Sequence, residues 1–284
     1  MDFSRTIKKA SALIMPEQTL FALPFAWLGL LFAGGHGFKT WLLVTIALAA
    51  ARTAGMAFNR AIDAKIDAAN PRTKDRAIPK GEVKRIEAVA LALISCLVLI
   101  AASFMLNRLC FYLSFVAVAL LAGYSYFKRF SASSHFCLGF TEAAAPIGGY
   151  LAVTGRLDLI SLVLGAAIML WIAGLDIVYA LQDKDFDRQA GLHSIPAAYG
   201  EKLALAASAL CYGASLCALV SAGLLTGMKV PYWTALLCVA GLFIYQQKAA
   251  RGTDILAAMP GIFKVNMYVS PALFAGTLVD RLIR

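Results

Sequence analysis

The stretch Thr40-Trp-Leu-Leu-Val-Thr-Ile-Ala-Leu-Ala-Ala-Ala-Arg52-Thr-Ala-Gly-Met-Ala-Phe-Asn59-Arg-Ala-Ile-Asp63 carries one charge, Arg52, before its last turn. At about 1.5 Å per residue, an apolar run of this length crosses a bilayer core of roughly 30 Å as a helix. Hydropathy places similar runs at 16–33, 86–106, 109–127, 136–154, 159–182, 202–226, 232–247 and 262–283, so about nine transmembrane helices are expected. The runs at 40–63 and 159–182 are long enough to project beyond the bilayer. Of the 284 residues, 61% are hydrophobic and 15% are charged, and the mean hydropathy is +0.74. A water-soluble domain of this size has no interior large enough for so much apolar surface. An all-α polytopic membrane protein follows, with the helices forming one integral membrane domain over residues 1–284.

The net charge of +10 does not point to nucleic acid, because the basic residues alternate sides along the expected helices. Arg5, Lys8 and Lys9 precede the first run, Lys65 to Arg85 follow the second, Lys128 and Arg129 the fourth, and Lys184, Arg188 and Lys202 the sixth. Lys248, Arg251 and Lys264 flank the connection from the eighth to the ninth. The opposite loops carry far fewer. The positive-inside rule therefore puts the N-terminus in the cytoplasm and, with nine helices, the C-terminus outside. The first run is long and lacks a small-residue cleavage site, so it is expected to stay as a helix. The cysteines lie singly inside apolar runs and read as small core residues. His36, His135 and His193 show no ligand spacing and read as loop residues.

Acids are costly in such a chain unless something binds them. They gather in two places, Asn59-x-x-x-Asp63-x-x-x-Asp67 and Asp176-x-x-Tyr179-x-x-x-Asp183-x-x-x-Asp187. At 100° per residue each set falls on one helical face, spread over about 80° in the first case. Asp185 points the opposite way and reads as a solvated charge. Carboxylate and carboxamide oxygens suit Mg²⁺, a hard cation that keeps some waters and bridges to substrate phosphates. The alternative is pairing at helix ends with Lys65, Arg60 or Lys184, which explains one cluster more easily than two of matched design.

Basic residues stand ready for the phosphates: Arg72, Lys74 and Arg76 in the polar loop 68–81, and Lys128 with Arg129 after the fourth run. Arginine and lysine clamp phosphate oxygens and stabilise charge on a departing diphosphate. Each residue taken singly also fits a loop touching anionic lipid. Arg52 lies two turns deeper than Asn59 on the same face and needs an anionic partner, either Glu142 in another apolar run or the carboxylate of a bound aromatic acid. Tyr124, Tyr126 and Tyr179 offer π faces to a cation, and Tyr179 alone lies within an acidic face.

These paired aspartate motifs resemble those of the UbiA family of intramembrane aromatic prenyltransferases. Agreement extends to Thr19-Leu-Phe-Ala-Leu-Pro24, Arg76-Ala-Ile-Pro79-x-Gly81 and Tyr245-Gln-Gln-Lys248, over nearly the whole chain. Within the family the chain looks most like the bacterial 4-hydroxybenzoate polyprenyltransferases. The resemblance implies helices around a central cavity with a lateral opening to lipid, in a bacterial cytoplasmic membrane with the site facing the cytoplasm. It further implies Mg²⁺ and diphosphate held by Asn59, Asp63, Asp67, Asp176, Asp183 and Asp187, with Arg72 and Arg76 on the diphosphate and Arg52 on the aromatic carboxylate. Many members carry Asp after the motif asparagine, where this chain has Arg60. By helical angle Arg60 lies about 100° from Asn59, so the acidic face survives.

The implied reaction transfers a polyprenyl group from polyprenyl diphosphate to the ring of 4-hydroxybenzoate. A dihydroxynaphthoate is the rival acceptor, and Arg52 serves either acid. A rival of another class is an ion-coupled transporter, but transporters place broken helices and their ion sites near the midplane, whereas here the acids cluster at one surface beside a basic loop.

Overall fold

The computed structural model describes residues 11, 13–35, 37–252 and 254–283. Arg5, Lys8, Lys9 and His36 lie outside them. The described residues form helices and turns without a strand. The long helices are α1 (Pro16–Phe32), α2 (Phe38–Ile62), α4 (Arg85–Leu106), α5 (Arg108–Gly123), α6 (Ser134–Thr154), α7 (Leu159–Tyr179), α10 (Glu201–Leu225) and α11 (Val230–Ala249), followed by the pair α12 (Ile255–Asn266) and α13 (Val269–Leu282). Short helices α3 (Ala64–Ala69), α8 (Lys184–Gln189) and α9 (Ile195–Tyr199) lie in the connections. Among the described residues, seven helical stretches are long and apolar enough to cross a membrane; α1 and α11 stand beside them in the bundle. The last run, expected as one helix over 262–283, is two helices that break at Met267 and Tyr268.

Packing follows chain order around a ring: α1 on α2, α2 on α4, α4 on α5, α5 on α6, α6 on α7, α7 on α10, α10 on α11, α11 on α13, and α13 back on α1. Helix α1 also crosses to α6, and glycine makes that crossing possible. A Cβ on Gly29 would sit 2.1 Å from the Pro146 carbonyl oxygen, and one on Gly149 2.0 Å from that of Ala26. Without a hydrophobic force between helices in lipid, such close backbone approach is what holds neighbours together. Trp171, Tyr232, Phe25 and Phe243 are the largest fully buried side chains of the core. Many large apolar residues on α4, α5 and α10 face outward, among them Leu97, Phe104 and Leu210, as lipid contact requires. Cys96, Cys110 and Cys211 are buried as expected, but Cys217 and Cys238 are exposed, because the run around each faces outward on one side.

Inside the ring lies a cavity of about 630 Å³. Its apolar walls reach Val44 and Leu48 near the start of α2, and Leu106, Cys110 and Leu151 at the far ends of α4, α5 and α6. Leu113 and Val116 on α5 and Phe140 on α6 line it and are also exposed. The cavity therefore reaches the outer surface between these two helices.

Candidate active site

Both acidic clusters reach the same end of this cavity, but not on the continuous helices their spacing suggests. Helix α2 stops at Ile62, Asp63 sits at the break with φ −90° and ψ 5°, and Asp67 lies on α3. In the second cluster Asp176 and Tyr179 end α7, a 3₁₀ turn covers Ala180–Asp183, and Asp187 lies on α8. Breaks of this kind re-aim side chains, and they are tolerated here because the freed backbone lines a polar cavity. Asn59, Asp63, Asp67, Asp176, Asp183 and Asp187 all line it, together with Arg52, Arg72, Arg76, Lys128 and Tyr179. Asp185 is exposed and does not.

Asp63, Asp67 and Asp183 are paired with the cations of the two loops rather than with Lys65, Arg60 or Lys184. Asp63, 1% exposed, accepts from Lys128 Nζ at 2.5 Å and Arg129 Nη2 at 2.9 Å, and from Asn59 Nδ2 at 3.1 Å. Arg76 Nη1 donates to Asp67 Oδ1 at 2.7 Å. Arg72 grips Asp183 with two prongs, Nε to Oδ1 at 2.9 Å and Nη2 to Oδ2 at 2.5 Å, while Nη1 reaches the Tyr179 hydroxyl at 2.9 Å. Burial alone would depress the Arg72 guanidinium, but the hydrogen bonds and charge of Asp183 and Tyr179 outweigh it and hold the group above its ordinary value. Asn70 Nδ2 also donates to Asp183, at 3.0 Å, so the loop after the first cluster is fastened onto the second. Lys184 pairs with Glu201 at 3.7 Å, and Arg60 points its Nη2 at the Met15 sulfur, 3.4 Å away.

Deeper in the cavity Arg52 forms an ion pair with Glu142. The guanidinium of Arg72 also lies 5.0 Å over the Tyr179 ring, and that of Arg129 over Tyr126 at the same distance. Tyr124 lines the cavity; Tyr126 does not.

His135, read from the sequence as a loop residue, stands in the first turn of α6 at 3% exposure. Its Nδ1 lies 2.7 Å from Asp176 Oδ2, and its Nε2 accepts the Ile195 N–H at 3.1 Å. Ser194, which caps α9, donates to Asp187 Oδ2 at 2.8 Å, and the His193 N–H donates to the Lys128 carbonyl at 2.7 Å. Sequence spacing carries no signal for His135, Asn70 or Ser194, because their partners lie on other helices.

The donor set suits Mg²⁺. Every cluster ligand offers a hard oxygen, and Asp67 Oδ2 is buried without a hydrogen-bond partner, an arrangement that is costly unless a ligand satisfies it. Among the described residues no three acid, histidine or cysteine side chains are gathered as a metal cage. Mg²⁺ does not need one, since it is commonly held by one or two carboxylates, waters and the phosphates of a substrate.

A polar floor of interleaved acids and bases beneath an apolar chamber is suited to an amphiphile with a diphosphate head. Comparisons with known proteins agree with that chemistry. A sequence model of the UbiA prenyltransferase family matches residues 22–266. The chain is 31% identical to the 4-hydroxybenzoate octaprenyltransferase of Cupriavidus necator over 95% of its own length and 94% of the relative's. Among solved structures, the apo UbiA homologue of Aeropyrum pernix K1 superposes with a TM-score of 0.86 at 33% identity, over 93% of this chain and 98% of that one. A UbiA homologue of Archaeoglobus fulgidus bound to DMAPP and Mg²⁺ shares the fold at a TM-score of 0.74 and 17% identity, over 97% and 100% of the two chains. With the two aspartate clusters, the basic loops and the apolar chamber in one cavity, and a family match over most of its length, the chain belongs to the UbiA prenyltransferase family.

Proposed function

We propose that the protein transfers a polyprenyl group from polyprenyl diphosphate to the ring carbon ortho to the hydroxyl of 4-hydroxybenzoate, a step of ubiquinone synthesis. The observation that carries this reading is the single cavity joining a charged floor to an apolar chamber open toward lipid, with Arg52 between the two. The relatives named 4-hydroxybenzoate octaprenyltransferase support the choice of acceptor.

In this reading Asn59, Asp63, Asp67, Asp183 and Asp187 would hold Mg²⁺, which would supply Lewis-acid neutralisation of the diphosphate. Arg72, Arg76, Lys128 and Arg129 exchange their carboxylate partners for phosphate oxygens when substrate enters. Their charge is then placed where negative charge develops as the allylic C–O bond breaks. The prenyl carbocation formed is attacked by the acceptor ring, and loss of the ring proton restores aromaticity. Tyr179 presents its π face beside the breaking bond. The apolar walls keep out water that would trap the cation as an alcohol. Arg52 takes the acceptor carboxylate, beside or in place of Glu142. The protein is placed in the bacterial cytoplasmic membrane, with the floor facing the cytoplasm where the basic loops belong, and membrane lipid bounds the opening between α5 and α6.

The test is purified protein with Mg²⁺, labelled polyprenyl diphosphate and, separately, 4-hydroxybenzoate and a dihydroxynaphthoate, with product read by mass. Prenylated 4-hydroxybenzoate is the expected product. Product with the naphthoate alone would move the protein to menaquinone synthesis, and product with neither would reopen the transporter reading.

A further inference from the structure

Asp176 differs from the other acids of the cavity in its partner. The others face the arginines and lysines of the floor or, for Asp187, a serine, whereas Asp176 has Oδ2 on a buried histidine. The backbone N–H of Ile195 can only donate, so Nε2 of His135 must present its lone pair to it. The ring proton therefore sits on Nδ1 and is given to Asp176. The side chain of His135 is 4% exposed and that of Asp176 31%. Both residues line the cavity, and the carboxylate is much the more open of the two.

Helix α6 gives the relative depth of Asp176 and Arg52. Asp176 meets His135 in the first turn of α6, and Arg52 meets Glu142 seven residues, about 10 Å, further along the same helix. The order from the cytoplasmic end is floor, then Asp176, then Arg52. A hydroxy acid whose carboxylate lies on Arg52 has its hydroxyl, and the ring carbon ortho to it that receives the prenyl group, directed upward toward Asp176 and the floor.

We propose that His135 is a positioning residue for the aromatic acceptor, fixing Asp176 so that its second oxygen accepts the hydrogen bond of the acceptor hydroxyl. This inference rests on the prenyltransferase reading above and assigns Asp176 to the acceptor instead of the metal. In this role His135 acts through Asp176. It spans α6, α7 and the segment before α9, and so ties the acceptor carboxylate of Asp176 to the segment whose Ser194 holds Asp187.

The experiment is steady-state kinetics on the full chain in nanodiscs, varying 4-hydroxybenzoate and polyprenyl diphosphate separately, for wild type, His135→Phe, His135→Asn, Asp176→Asn and the double variant His135→Phe/Asp176→Asn. His135→Phe keeps the ring volume and removes the donor. It should lower kcat/KM for the acceptor by roughly 10- to 100-fold, the scale of an ångström of misplacement, while KM for the diphosphate stays put. His135→Asn places an amide N–H near the Nδ1 position and should recover most of the loss. The double variant should be no worse than the poorer single one, since both act through one contact. Equal changes in both KM values, no change in either, or losses that add in the double variant would overturn the role of His135 while leaving an active wild type. A wild type inactive on every aromatic acid would overturn the reading beneath it. Should His135→Phe fail to fold by thermal melting, Asp176→Asn and His135→Asn decide: acceptor KM must rise in the first and remain near wild type in the second.

Discussion

Asp67→Asn isolates the atom that most directly points to a cation. In the unliganded protein Asp67 Oδ1 holds Arg76 at 2.7 Å, while Oδ2 is buried without a partner in a side chain 5% exposed. Asparagine keeps the shape and one accepting oxygen for Arg76, and it places an amide NH₂ where Oδ2 stood. An unmet buried polar group costs about 1–3 kcal/mol, and wild type and variant both carry one, so that contribution nearly cancels. Weakening the pair with Arg76, whose side chain is 26% exposed, costs about 1 kcal/mol after solvent screening. In a chain of this size that is a fall of about 2–4 °C in Tm. Activity should respond far more strongly. On the proposed reading a direct metal ligand is lost, and even outer partners of metal ligands cost about 10–100-fold, so turnover should drop by at least that much. Thermal unfolding gives an independent reading: Mg²⁺ with a prenyl diphosphate analogue at about 100 times its Kd should stabilise wild type by about 2.7 kcal/mol and the variant much less. The reasoning fails if Asp67→Asn keeps the Mg²⁺ dependence of wild type in both assays.

Replacing Gly149 by Leu drives a side chain into the Ala26 carbonyl, 2.0 Å from the new Cβ; a loss of about 3 kcal/mol or more is expected, read as lower Tm and yield in detergent. Gly148→Ala, with nothing within 4 Å, is the tolerated control. Arg72→Lys keeps the charge but can retain only one of three contacts to Asp183 and Tyr179, so KM for polyprenyl diphosphate should rise about tenfold or more with the acceptor KM little changed. Glu142→Gln frees Arg52 from a competing charge and should lower KM for 4-hydroxybenzoate, whereas Arg52→Leu strands Glu142 and should cost about 3–5 kcal/mol in stability, measured by thermal unfolding.

Much of the site could be read from residue spacing because each acid lies near a helix end with its cluster mates a turn or two away. That local periodicity identified the acids and set Asp185 aside. The same reasoning missed the helix breaks at Asp63 and at Ala180–Asp183, since apolar and acidic side chains at helical spacing give no sign of where the backbone departs from the helix. It also left Arg52 between two partners, and the fold supplies Glu142, 90 residues away.

The sequence by itself determined that this is a bundle of membrane helices with two acidic ends and basic loops beside them. A bilayer leaves an apolar run little choice but to form a helix of matching length, and charges must collect where the runs end. Only the tertiary structure decided which cation meets which acid, that Asn70 crosses 113 residues to reach Asp183, and that a histidine with no motif around it stands behind Asp176. Those pairings depend on how helices distant in sequence rotate and pack against one another, a matter fixed by side-chain shape and close backbone approach across the ring.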